Sequence, residues 1–83
     1  MKLIYFAWLK SRIGLAEEQV EVPAAIRNVG DLLAWLKTRS QGHAEALADL
    51  SIVKVAVNQE FAGPDQILAP GDEVALFPPV TGG

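Results

Sequence analysis

The stretch Lys2-Leu3-Ile4-Tyr5-Phe6-Ala7-Trp8-Leu9 is almost wholly aliphatic and aromatic, the composition of a strand. Lys10-Ser11-Arg12-Ile13-Gly14 is turn-like, and Gln19-Val20-Glu21-Val22 then alternates polar and apolar until Pro23 closes it. Together they predict a β-hairpin with a loop longer than the tightest turns. From Asn28 the period changes. Val29, Leu32, Leu33 and Leu36 recur at helical spacing, with Asn28 as N-cap and Asp31 in the first turn. Trp35 flanks that stripe as a packing residue. Lys37 and Arg39 suit the helix C-terminus, Gly42 is the expected stop, and Ala44, Leu47 and Leu50 suggest a second, shorter helical segment. Strand character returns from Ile52 to Val57. Asn58-Gln59-Glu60 turns the chain into a brief strand at Phe61-Ala62, and Gly63-Pro64-Asp65 and Ala69-Pro70-Gly71-Asp72 are turn clusters. Glu73 to Phe77 is the last strand, stopped by Pro78-Pro79.

Two strands, a helix and further strands form an α+β pattern. By analogy it is the ubiquitin-like β-grasp: a mixed sheet of four to five strands with one main helix on one face. The expected organisation is a β-grasp domain over residues 1–77 and an extended C-terminal tail over 78–83. Strand parity then separates two faces. Lys2, Ile4, Phe6, Trp8 and Lys10 share one side, and Leu3, Tyr5, Ala7 and Leu9 the other. In the last strand Val74 and Leu76 oppose Glu73, Ala75 and Phe77. The helix is expected over Leu3, Tyr5, Leu9, Val74 and Leu76, leaving Ile4, Phe6, Trp8 and Phe77 either covered by loops or exposed as a partner surface.

Composition narrows the chemistry. The 83 residues suit one small domain with a thin stability margin, and 51% hydrophobic content is consistent with a well-packed core. With no cysteine there are no disulfides or thiolate metal ligands. Seven basic against ten acidic residues, net −3, argues against a nucleic-acid binder. No apolar run has membrane-spanning length, and the opening lacks the small-residue cleavage site of a signal peptide, so a soluble cytoplasmic protein is expected. His43-Ala44-Glu45 has the His-x-Glu of zinc deaminases without their cysteine pair. With that single histidine, no metal site is expected. Glu17-Glu18 reads as a solvated strand start, and Asp65 and Asp72 as turn residues. Lys10, Arg12 and Lys54 read as exposed cations, with steering of an acidic partner as a second reading.

The remaining candidate is the chain's end, Phe77-Pro78-Pro79-Val80-Thr81-Gly82-Gly83. By itself a terminal Gly-Gly is also what a frayed end looks like. Without Cβ atoms, however, Gly82 and Gly83 form the thinnest thread a chain can make. Pro78-Pro79 favours an extended stem, and six residues beyond Phe77 reach on the order of 20 Å at ~3.3 Å each. Such a tail can place an activated carbonyl at Gly83 inside another protein's active site.

The run Gly71-Asp72-Glu73-Val74-Ala75-Leu76-Phe77-Pro78-Pro79-Val80-Thr81-Gly82-Gly83 closely resembles the C-terminus of the MoaD family, the small subunits of molybdopterin synthase. Ala56-Val57-Asn58-Gln59, the opening strand and the length extend the resemblance over nearly the whole chain; Ser40 to Leu50 carries little of it. The resemblance implies a β-grasp sulfur carrier in molybdenum cofactor biosynthesis. An E1-like activating enzyme would use ATP to adenylate Gly83, and a sulfur donor would convert it to a thiocarboxylate (1-thioglycine). The tail would then deliver sulfur to cyclic pyranopterin monophosphate inside the large subunit, which supplies the acid/base residues. This chain would bind no cofactor itself, would not be catalytic alone, and would join a heterotetramer. The family's contact face carries over onto Phe6, Phe61 and Phe77, and the inserted tail onto Pro78, Pro79, Val80, Thr81 and Gly82. A family arginine near the first hairpin is Lys10 here, without the bidentate fork. A sulfur carrier for another pathway, such as thiamine synthesis, and a ubiquitin-like modifier conjugated through Gly83 remain as alternatives. The Pro78-Pro79 pair weighs against the thiamine type.

Overall fold

The computed structural model describes residues 1–79; the expected tail residues Val80, Thr81, Gly82 and Gly83 lie outside the described residues. The strands are β1 (Lys2–Tyr5), β2 (Glu17–Gln19), β3 (Lys54–Val57), β4 (Glu60–Phe61) and β5 (Glu73–Phe77). They form one mixed sheet in the order β2-β1-β5-β3-β4. β1 and β5 run parallel at its centre, with Leu3 beside Val74 and Tyr5 beside Leu76. β2 pairs antiparallel with β1, and β3 antiparallel with both β5 and β4.

The helix read from the sequence is α2, Val29–Leu36, and its start follows the expected chemistry. Asn28 is extended, and its Oδ1 accepts the Asp31 N–H at 2.8 Å, while Asp31 Oδ2 accepts the Arg27 N–H at 3.2 Å. Val29, Leu32, Leu33 and Leu36 are all buried and join Leu3, Tyr5, Val55, Val57, Val74 and Leu76 in one core. Trp35 is half-buried against that core, with the Arg39 guanidinium 4.9 Å above its ring.

The first strand is shorter than its composition suggests. It stops at Tyr5, and Ala7–Ile13 forms a helix, α1, ended by Gly14 at φ 90° with its N–H on Lys10 O. The predicted hairpin loop is therefore a helix; β1 does pair with the strand that follows, but that strand is Glu17–Gln19 and shares only Gln19 with the expected Gln19–Val22. Tertiary packing overrode strand propensity here: α1 turns Leu9 into the core and packs on α3, Gln41–Ala46. Gly42 does not stop α2, which ends at Leu36. It lies inside α3, where a Cβ would stand 2.5 Å from Arg12 O, so the α1–α3 crossing requires glycine. Ser40 caps α3 by accepting the His43 N–H at 3.1 Å. Ala46 and Leu47 are buried as a second helical segment would require, whereas Leu50 begins an exposed 3-10 turn.

The β3–β4 connection is the two-residue Asn58-Gln59 turn, with φ 50° and 70°, the doubly positive pair of a type I′ hairpin. Asn58 is anchored to the start of β5: its Oδ1 accepts the Glu73 N–H and its Nδ2 donates to Asp72 Oδ1, both at 3.0 Å. Gln59 is exposed, makes no side-chain hydrogen bond among the described residues, and only carries the strained φ. Gln59→Gly is therefore expected to raise stability by about 0.5–1 kcal/mol, read as a higher denaturation midpoint with an unchanged m-value. Unchanged or lower stability would show that the turn holds no such strain.

Candidate functional site: an aromatic face at the root of the tail

Parity on β1 and β5 sorts as expected. Leu3, Tyr5, Val74 and Leu76 are buried on the helix side, while Ile4, Ala75 and Phe77 lie on the opposite, open side. Register extends that open face across the sheet: Ile4 opposes Ala75, Ala75 opposes Ala56, Ala56 opposes Phe61, and Lys54 opposes Phe77. No helix covers it. Trp8 does not belong to it, since it rides on α1 and is half-buried against the core. Leu9 is buried as expected, but from α1 rather than from a strand.

Phe6, Phe61 and Phe77, singled out from the sequence, differ in setting. Phe61 is 83% exposed and Phe6 49% exposed. Phe77 is only half-exposed, because the Phe61 ring lies 5.8 Å away, tilted by 42°, an aromatic contact that shields part of each ring. Phe61, Phe77, Val55, Ala62, Gly63 and Lys54 surround a hollow of about 460 Å³. Phe6 is held beside the end of β5 by its N–H on Leu76 O at 3.1 Å. Pro78 and Pro79 are half-buried there. Because β1 and β5 are parallel neighbours, Phe6, Phe77 and the departing chain all meet at one end of the sheet. Lys10 and Arg12 are exposed, in the last turn of α1.

Sequence reasoning missed a second feature, on the helix side. Glu18 is not solvated; its side chain is 11% exposed. Its Oε2 accepts the Tyr5 hydroxyl at 2.6 Å and His43 Nε2 at 2.8 Å, and its Oε1 accepts from Arg39 at 3.2 Å. His43 is buried, and its Nδ1 is 2.7 Å from Ser40 Oγ. A signal was present: Glu18 has the inward parity of Val20 and Val22, and an inward carboxylate needs donors. Burial, then the bond to the Glu18 carboxylate, push the Tyr5 phenol far above its usual pKa. Burial also works to raise the Glu18 pKa, but the bonds from Tyr5 and His43, with the charges of His43 and Arg39, outweigh it and hold it below its usual value. Every buried side-chain polar atom among the described residues has a partner, and no metal-ligating cluster occurs among them. The cluster ties β1, β2 and α3 together rather than facing the open sheet.

A small mixed sheet with a parallel central pair, helices on one face and a chain end leaving beside an aromatic patch defines a ubiquitin-like β-grasp protein. The ThiS family model matches residues 3–83, and the chain belongs to that family. It is 39% identical over 83 residues to the Escherichia coli molybdopterin synthase sulfur carrier subunit, covering all of this chain and 99% of that one. A putative molybdopterin converting factor subunit 1 from Pyrococcus furiosus superposes with TM-score 0.77 at 33% identity over 95% of both chains. The small archaeal modifier SAMP1 from Haloferax volcanii superposes with TM-score 0.74 at 34% identity, covering 100% of this chain and 98% of that one.

The Glu18 cluster makes stability acid-sensitive. In the unfolded chain Glu18 binds its proton near 4.5, whereas in the fold it resists protonation to lower pH. Below 4.5 the unfolded state therefore holds more protons, and stability falls as pH falls through the folded value. Melting temperatures measured from pH 6 downward should show a drop below about pH 4.5 that Glu18→Gln flattens. An equally steep drop in Glu18→Gln would remove Glu18 as its source.

Proposed function

We propose that this chain is the sulfur-carrier subunit of a molybdopterin synthase, with Gly83 as the carrying residue. The observation behind this is the meeting of the aromatic face and the root of the tail at one end of the sheet. A partner that covers Phe6, Phe61 and Phe77 then receives residues 78–83 beside them. The names of the relatives supply the cargo.

In this reading the carboxylate of Gly83 attacks the α-phosphorus of ATP in an activating enzyme, releasing pyrophosphate and leaving an acyl-adenylate. A sulfur donor displaces AMP and leaves a thiocarboxylate. The tail enters the large synthase subunit, where the thiocarboxylate sulfur bonds to a carbon of cyclic pyranopterin monophosphate. Water then cleaves the acyl–sulfur bond, leaving the sulfur on the substrate and returning Gly83 to a carboxylate. The acid/base groups belong to the large subunit. Residues 1–77 act as the handle and 78–83 as the arm: Pro78 and Pro79 stiffen the stem, and Gly82 and Gly83 give the narrowest end. The chain binds no cofactor; ATP is consumed by the activating enzyme, and the work takes place in the cytoplasm.

Protein purified from cells with an intact sulfur relay should include a fraction in which one C-terminal oxygen is replaced by sulfur, seen by intact mass. Extending the chain past Gly83 should abolish cofactor synthesis while leaving the melting temperature nearly unchanged. Cofactor synthesis that survives the extension would end the carrier reading. The likeness to SAMP1 favours one second reading, a modifier conjugated through Gly83. It would show as a ladder of covalent adducts that survives denaturant, whereas a carrier releases a non-covalent partner.

Phe6 gives a separate test of the face. It is the N-cap of α1, with extended backbone and no side-chain cap bond, a position that favours aspartate. Phe6→Asp should therefore leave the melting temperature unchanged or slightly higher. It should weaken binding of the large subunit by several kcal/mol, since aromatic anchors contribute about 2–4 kcal/mol and the new carboxylate is buried unpaired. Leu36→Ala should do the reverse, costing the fold about 2–5 kcal/mol. Unfolding of the monomer by Phe6→Asp would mean that the face is core.

A further inference from the structure

Charges on the open face are sorted by position. Lys2 is the register neighbour of Glu73, and its Nζ lies 3.7 Å from Glu17 Oε2, so the cation at that end already has carboxylates beside it. Lys54, opposite Phe77 at the tail end, forms no salt bridge among the described residues. Glu73 is four residues back along β5 from Phe77, about 13 Å. Glu60, close in sequence to Phe61, pairs with the inward position Val57 and so has the opposite parity. The cation therefore stands over a hollow whose other walls are Phe61, Phe77, Val55, Ala62 and Gly63.

We propose that this hollow receives an apolar side chain of the protein partner with a carboxylate beside it, and that Lys54 pairs with that carboxylate and helps to select the partner. The inference rests on the carrier reading, and the partner is the large synthase subunit. Two aromatic walls call for an apolar occupant. Covering them brings a surface down over the Lys54 ammonium, and enclosing an ammonium without an anion is costly. A complementary partner therefore supplies the carboxylate. A second copy of this chain is the poorer occupant, because a two-fold axis through the hollow would set Lys54 against Lys54. Complementary charges across an interface also raise the rate of encounter and reject wrong partners.

The test uses the full-length carrier and the large subunit encoded in the same genome, with association rate and Kd measured at low and at physiological salt. Lys54→Met keeps the aliphatic stem and should slow association and flatten its salt dependence, weakening Kd by roughly three- to tenfold. Lys54→Glu should weaken Kd by at least about thirtyfold. Reversing the charge of the facing carboxylate on the large subunit should restore much of that loss. Unchanged melting temperatures in both variants are expected, because Lys54 is exposed. Binding of Lys54→Glu at wild-type strength would overturn the inference while leaving the carrier reading intact. A wild-type chain that neither binds the large subunit nor supports cofactor synthesis would overturn both. Concentration-dependent dimerisation of the wild type, lost in Phe61→Asp, would instead assign the hollow to a second copy.

Discussion

The parallel pairing of β1 with β5 is the contact on which the rest depends. It joins residues from opposite ends of the sequence, Lys2 to Tyr5 with Glu73 to Leu76, and so it closes almost the whole chain into one loop. Its alternation turns Leu3, Tyr5, Val74 and Leu76 together beneath the helices, where each is 2% exposed or less. Its polarity has the larger consequence. Two strands running the same way end at the same edge, so Phe6 lies beside the end of β5, where the chain leaves the sheet after Phe77. An antiparallel pair would have put those two residues at opposite ends.

Around that pair the remaining contacts act as braces, of two physical kinds. The first is close packing: α1 crosses α3 where Gly42 lets backbone meet backbone, a fit that any side chain would force apart. The second is polar. Glu18, Tyr5, His43, Arg39 and Ser40 satisfy one another in a cluster whose centre, Glu18 and His43, is largely buried, where an unmet donor or acceptor would be costly. In a domain of this size, which buries a modest share of its surface, both braces lie on the helix side. The opposite face is left free of core duties, and that freedom lets it expose Phe61 and Phe6 without loss of the fold.

The separation of fold from function follows. The core and both braces lie on the helix side, so substitutions there are expected to act on stability, whereas the open face carries few core contacts. Lys54 lies on the open face, although it sits on a core strand whose next residue, Val55, is buried.

Much of this was legible in the sequence because it is local or periodic. The α2 stripe, its Asn28 cap, the inward set Leu3, Tyr5, Val74 and Leu76, and the chain-end motif all follow from spacing and from side-chain chemistry. Three features did not. Composition over Lys2 to Leu9 favours a strand, but the chain breaks at Phe6 because α1 can bury Leu9 against α3, a gain that no local propensity contains. Glu18 has inward parity, but its partner His43, 25 residues away, carries no local signal, and only the tertiary structure brings the two together. Gly42 looks like a helix stop, whereas its role comes from Arg12 and Ile13 thirty residues earlier. Periodicity determined which side chains share a face. Only tertiary structure decided which faces meet, since contact energies depend on partners that the local sequence does not name.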